Sequence, residues 1–189
     1  MLLRRLVGAA TPADMALIIE DGTGKADAQS VATAEELRGY ALLRGISVPS
    51  NDAEGTAKIE AALLDAMDYL SIKPCFQGEP FLATQSLPFP RKNVYIRDVK
   101  QIDAFMPAAF KTAQIRLALA VLSGVVLMPN ISGRSADYVV KEKVGPLEVE
   151  YANPTQFNGT TTFTAVDLLL APLLGGECCE TGFLKVFRA

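Results

Sequence analysis

Histidine is missing from all 189 residues, and cysteine occurs only at Cys75, Cys178 and Cys179. Without histidine there is no Ser-His-Asp triad, no Cys-His pair, no imidazole base and no zinc site except an all-cysteine or carboxylate one. Two of the cysteines are adjacent, so one tetrahedral metal is poorly served by the three. They form no spaced disulfide framework either, a usage that fits a reducing compartment. An excess of positive charge is missing too. The formal net charge is −3, which argues against general affinity for a phosphate backbone. No apolar run approaches the roughly 20 residues that span a bilayer, so no membrane partner is expected. What is present is apolar residue at 50% and charged residue at 21%, the composition of a globular chain able to bury a real core.

Residues 1–14, MLLRRLVGAATPAD, hold two arginines and a short broken apolar stretch. They read as an extension ahead of a domain spanning 15–177, with 178–189 as a C-terminal arm. Next comes EDGTGKA, Glu20 to Ala26. A phosphate-binding loop needs glycine, four residues, then Gly-Lys-Ser/Thr. Here Ile19 stands at the first glycine and Ala26 at the hydroxyl. A polar turn after a short strand Leu17–Ile19 is expected instead. The carboxylates Glu20, Asp21 and Asp27 lack a spacing that would converge them on a divalent metal. No catalytic residue, metal or cofactor is therefore expected.

Thr33-Ala-Glu-Glu36 is a capping box that opens a helix containing Leu37, Tyr40, Ala41 and Arg44, closed by Gly45. A second helix is predicted from about Ala53 to Leu70, since Ile59, Leu63, Met67 and Leu70 recur at helical steps before Pro74. A third is predicted from Ala108 to Ser123, about 24 Å long at 1.5 Å per residue. Asp103 is its expected cap, Pro107 lies near its first turn, and Lys111, Gln114 and Arg116 are its expected polar face. Its later half, LALAVLSG, is apolar all round and must be covered all round. Neighbouring subunits can do this, and so can the hairpin and last helix of the same chain.

Between the second and third helices lies FQGEPFLATQSLPFPR, Phe76 to Arg91. Phe76, Phe81 and Phe89 can bury large apolar area, and its prolines stiffen the backbone before docking. Gln77 and Gln85 can satisfy backbone groups that an irregular segment leaves unpaired. Glu79 has no partner for acid-base work, so the segment reads as a packing clamp built on Phe76, Gln85, Phe89 and Arg91. Further on, residues 138–152 read as a hairpin around Gly145-Pro146. That register pairs Val144 with Leu147, Lys143 with Glu148, Lys141 with Glu150 and Val140 with Tyr151. A short helix, roughly Ala165 to Leu174, precedes Gly175-Gly176. The tail then alternates Phe183, Leu184, Lys185, Val186, Phe187 and Arg188, a strand seeking a sheet edge. The predicted fold is mainly α: a small bundle of about four helices with a β-hairpin and a C-terminal extended arm.

Several of these segments resemble the head-to-tail connector (adaptor) proteins of tailed bacteriophages. They are EDGTG…DAQS with its following helix, FQG…QSLPFPR with its proline-started helix, and KEKVGPLEVEY. Together they cover most of residues 15–155. Gln29, Val31 and Phe89 depart from the asparagine, tyrosine and tryptophan usual there. The resemblance implies a structural virion protein of the neck, assembled in the host cytoplasm. It implies a homo-oligomeric ring of about twelve copies under the portal protein, by the closure of head-to-tail interfaces. Double-stranded DNA would pass through the channel without sequence-specific binding, and a tail or stopper protein would dock below. Phe183 to Arg188 would contact the portal or a neighbouring subunit, as would the hairpin residues Lys141, Lys143, Glu148 and Glu150. Some members of this group carry the label DnaT-like single-stranded DNA-binding protein. That alternative function needs a basic groove with aromatic platforms. The sequence offers only Arg91, Lys92, Tyr95, Arg97 and Lys100, with Asp98 among them.

Overall fold

A computed structural model describes residues 17–72, 75–128, 141–144, 147–150 and 163–175. The fold is mainly α. Its helices are α1 (Ala34–Leu42), α2 (Ala53–Ile72), α3 (Ala108–Leu122) and α4 (Thr164–Leu170), the last continued by a 3-10 turn at Ala171–Leu173. Between α2 and α3 the chain makes two small antiparallel ladders, β1 (Glu79–Pro80) with β2 (Arg91–Lys92) and β3 (Tyr95–Ile96) with β4 (Val99–Lys100). A third pairs β5 (Lys141–Val144) with β6 (Leu147–Glu150).

The capping box at α1 forms as the sequence predicts. The Thr33 hydroxyl accepts from the Glu36 amide at 3.1 Å, and the Glu36 carboxylate accepts from the Thr33 amide at 2.9 Å. The helix closes through Gly45 at φ +64°. The Ile46 amide reaches back to the Ala41 carbonyl and the Gly45 amide to the Leu42 carbonyl, the Schellman pattern. Arg44 accordingly lies in the closing turn and not in the helix. Helix α2 starts where the Asp52 carboxylate accepts from the Gly55 amide at 2.6 Å. Ile59, Leu63, Met67 and Leu70 are all buried, with Ala62 and Ala66 beside them. Burial of each such leucine, isoleucine or methionine is worth about 1.5–3 kcal/mol, so this face of α2 anchors the bundle.

Helix α3 starts at Ala108, the predicted first residue, but its N-cap residue is Pro107 and not Asp103. The reason is competition for the backbone. Phe105 exchanges both backbone hydrogen bonds with Arg91, at 2.9 and 3.2 Å, which holds the chain extended up to that point. Phe110, Ala113, Ile115, Leu117 and Ala118 are buried, whereas Leu119 to Leu122 are only half-buried. The Lys111–Glu36 ion pair and the Arg116–Tyr40 hydrogen bond set α1 alongside α3 in parallel. The C-terminal ends of both helices therefore lie at one end of the bundle.

Helix α4 closes the core with Val166, Leu170 and Leu173, and Phe163 packs edge-on against Tyr69 of α2, ring centroids 5.6 Å apart. The predicted helix Ala165–Leu174 is in fact α4 plus the 3-10 turn, because Pro172 has no amide to continue an α-helical ladder. The predicted strand Leu17–Ile19 is a single parallel bridge between Ile19 and Ser30. In the hairpin Lys141 pairs with Glu150, Lys143 with Glu148 and Val144 with Leu147, the register read from the sequence. The Val140–Tyr151 pair, the loop 145–146, residues 1–16 and residues 176–189 with the arm 178–189 lie outside the described residues.

Candidate functional site: the interhelical clamp and the exposed helix ends

The segment from Phe76 to Arg91 folds around one guanidinium. Arg91 Nε donates to the Gln77 carbonyl at 2.7 Å, Nη1 to Pro88 at 3.2 Å, and Nη2 to Phe76 and Gly78 at 3.1 and 2.6 Å. A planar fork of donors suits four carbonyls that an irregular backbone leaves unpaired. Burial holds its pKa below the ordinary arginine value, with Glu79 acting against that shift. Gln85 is the second tie. It donates to the Leu87 and Pro90 carbonyls and accepts from the Leu82 amide. Gln77 is the third, donating to Pro172 and Leu174 across the molecule and accepting from the Tyr95 amide. Gly78, at φ +71°, has no room for a Cβ against the Lys92 carbonyl.

Beneath this backbone lies an aromatic cluster. Phe76 meets Phe89 at 5.1 Å and Phe110 of α3 at 5.5 Å between centroids, both edge-on, and Phe89 meets Phe110 at 4.7 Å. Phe89 and Phe110 are fully buried. Phe81, expected in this cluster, is only half-buried, and Phe110 takes its place. Phe76, Gln85, Phe89 and Arg91 thus converge on one structure, tied to α3 by rings and to the 3-10 turn by Gln77.

The sequence reading missed one residue that matters. Gln114, placed there on a polar face, is completely buried. Its carbonyl accepts from the Val31 and Ala32 amides, both at 3.1 Å. Its amide donates to Ser30 Oγ at 2.7 Å and the Leu63 carbonyl at 3.0 Å. One side chain therefore joins the α1 approach, α2 and α3. A polar residue between Ala113 and Ile115, in a helix that also carries Lys111 and Arg116, gives no signal in the sequence that it would be buried.

The glycine-containing loop is satisfied internally. The Glu20 carboxylate, 5% exposed, accepts from the Gly22, Gly24 and Lys25 amides at 2.8–2.9 Å. A bound phosphate would have to evict that carboxylate. Asp21 faces outward, its pKa drawn down to about 2 by the Thr23 hydroxyl and then by Lys25. Among the described residues no three histidine, cysteine or carboxylate side chains gather as metal ligands.

The basic cluster at 91–100 is not assembled as a platform. Arg91 is turned inward, Lys92 faces Glu79 at 3.6 Å, and Arg97 and Asp98 form the positive-φ turn between β3 and β4. Tyr95 is half exposed. A second group, not foreseen from sequence, surrounds Tyr40. The Arg44 guanidinium stacks 3.5 Å from its ring centroid, and Arg116 Nε donates to its hydroxyl at 2.8 Å. At the end of α1, Leu42 and Leu43 are 80% and 85% exposed, and past the end of α3 Val125, Val126 and Met128 are exposed too. The arm residues Phe183, Leu184, Lys185, Val186, Phe187 and Arg188 lie outside the described residues, as do the side chains of Lys141, Lys143, Glu148 and Glu150.

These features define a mainly α helical-bundle protein whose irregular connection is tied to its own core. The chain belongs to the family described as "Putative DnaT-like ssDNA binding protein", whose profile matches residues 15–189. Comparison with curated proteins gives no match, and comparison with solved structures gives none either.

Proposed function

We propose that this chain is a non-enzymatic structural subunit of a tailed-phage head-to-tail connector. In this reading it forms a ring beneath the portal, continues the channel for double-stranded DNA and presents a docking surface to a tail or stopper protein. The observation that carries the proposal is the apolar end of the α1–α3 pair. Leu42, Leu43 and Val126 are each at least 65% exposed there, next to the half-buried last turn of α3. Large apolar side chains left in the open at helix ends are surfaces another protein can cover, and heterologous contacts between identical subunits can close into rings. The net charge of −3 suits a wall that lets DNA slide past. Sedimentation of the purified protein, followed by electron microscopy with portal-bearing heads, tests this. Ring particles seated on portals are expected. A protein that stays monomeric and leaves portals bare refutes it.

A second reading follows from the family's description, which names single-stranded DNA, and from the arginines beside Tyr40. Base stacking needs an open aromatic face, and Arg44 lies over the Tyr40 ring. Anisotropy of a labelled oligothymidine across a salt series decides. Tight, steeply salt-dependent binding lost in Arg44→Glu/Arg116→Glu would favour this reading over the connector.

A further inference from the structure

The Tyr40 side chain holds two guanidiniums in place. Arg44 stacks 3.5 Å from the ring centroid and donates through Nη1 to the Tyr40 carbonyl, while Arg116 Nε donates to the Tyr40 hydroxyl. Neither arginine has an ion-pair partner among the described residues, and Glu36, one turn before Tyr40, is taken by Lys111. Arg116 is the one exposed side chain of α3 between Ala109 and Leu122. Helix α2 carries the opposite charge. Asp65 and Asp68 are exposed, one turn apart, and also lack an ion-pair partner among the described residues. By the 3.6-residue repeat they lie across the helix from Ile59, Leu63, Met67 and Leu70, the face that α2 buries. That buried face packs on α3, so α2 itself stands between these carboxylates and Arg116 of the same chain.

We infer that the Asp65–Asp68 face of α2 in one copy of this chain docks on the Arg44–Arg116 pair of the next copy. The inference rests on the assembly reading above for its partner, and names the two surfaces that meet. Charge is the first match. Carboxylates three residues apart on a helix have Cβ atoms about 5–6 Å apart, and the guanidiniums flank a single ring. Arginine forks take carboxylates in bidentate pairs, and these two are already positioned by Tyr40, so little freedom is lost on docking. Apolar cover is the second match. Leu43, beside Arg44, is 85% exposed, and Ile72, one turn beyond Asp68, is 67% exposed, so each patch sets an aliphatic side chain next to its charges. The two surfaces differ and point different ways. The contact is therefore heterologous, the kind that can close into rings. A nucleic acid strand fits the arginines less well, because Arg44 already covers one face of the ring a base would need.

Sedimentation velocity of the full-length protein over a concentration series, at low and high salt, tests this. The wild type should self-associate, and more weakly at high salt. Arg44→Glu/Arg116→Glu should weaken association at least about tenfold, and so should Asp65→Arg/Asp68→Arg, with the far-UV circular dichroism unchanged. All four substitutions in one chain should restore it. Mixing the two double variants should restore it too, because each then supplies the face that the other can bind. A wild type that stays monomeric overturns the pairing, as do double variants that associate like the wild type, or swaps that fail to rescue. Loss of oligothymidine binding in Arg44→Glu/Arg116→Glu with self-association untouched would assign the arginines to nucleic acid and overturn it as well. Seating on portal-bearing heads is measured separately, so copies that pair through these faces yet leave portals bare would sink the connector reading alone.

Discussion

Replacing Gln114 by methionine tests the core more sharply than any large-to-small change. The two side chains have similar length and shape, so little cavity forms and the loss is almost purely polar. The Val31 amide has Gln114 Oε1 as its one acceptor, whereas the Ala32 amide keeps Ser30 Oγ at 3.1 Å. An orphaned buried donor costs about 1–3 kcal/mol, and each further hydrogen bond lost, to Ser30 and Leu63, about 1 kcal/mol. Methionine regains part of this through better burial. The expected net loss is about 2–4 kcal/mol, read as a lower urea midpoint at unchanged slope. Gln114→Glu adds a signature that mere misfit cannot produce. Its protonated form keeps an acceptor and a donor, while its ionised form cannot donate to the Leu63 carbonyl. Burial raises the pKa of this new carboxyl in the folded state. The penalty is therefore absent below the unfolded value of about 4.3 and grows as pH rises toward the folded pKa, by about 1.4 kcal/mol for each pH unit crossed. Gln114→Glu should approach the wild type near pH 4 and fall well below it near pH 7. A methionine variant within about 0.5 kcal/mol of wild type, or a pH-independent glutamate penalty, would refute the staple.

Phe89→Ala should cost about 3–5 kcal/mol in thermal or urea unfolding, since the ring is fully buried between Phe76 and Phe110; an unchanged midpoint would remove Phe89 from the core. Arg91→Lys should cost about 2–4 kcal/mol despite keeping the charge, because an ammonium cannot reach four carbonyls spread around a fork; wild-type stability in this variant would mean solvent serves those carbonyls equally well. Burial opposes ionisation of Glu36, but the Lys111 ammonium and the Thr33 amide and hydroxyl outweigh it and hold its pKa below 4.5. Its stabilisation is therefore complete above that value and lost as pH falls through the folded pKa. Lys111→Met should cost only about 0.5–1 kcal/mol at pH 7 for this half-exposed pair, and comparison of the unfolding curves near pH 3 should show the difference shrinking.

The helices were legible in the sequence because their information is local. A capping box at Thr33, a stripe at Ile59, Leu63, Met67 and Leu70, and a glycine at 45 each act within a turn or two, and neighbouring residues suffice to read them. The hairpin register was legible for a similar reason, since β5 and β6 are adjacent in the chain. Phe76, Gln85, Phe89 and Arg91 could be chosen from sequence by side-chain type. Their geometry could not, because Arg91 turns inward only where four carbonyls happen to converge. The start of α3 at Ala108 was legible from Pro107, but its cap was not, because Phe105 pairs with Arg91 and overrides Asp103. The fate of Gln114 depended on unpaired amides 82 and 83 residues away, and Phe110 displaced Phe81 from the ring cluster for want of any local rule. Local propensity thus drew the elements, and competition for buried hydrogen bonds across the chain decided which polar side chains became core.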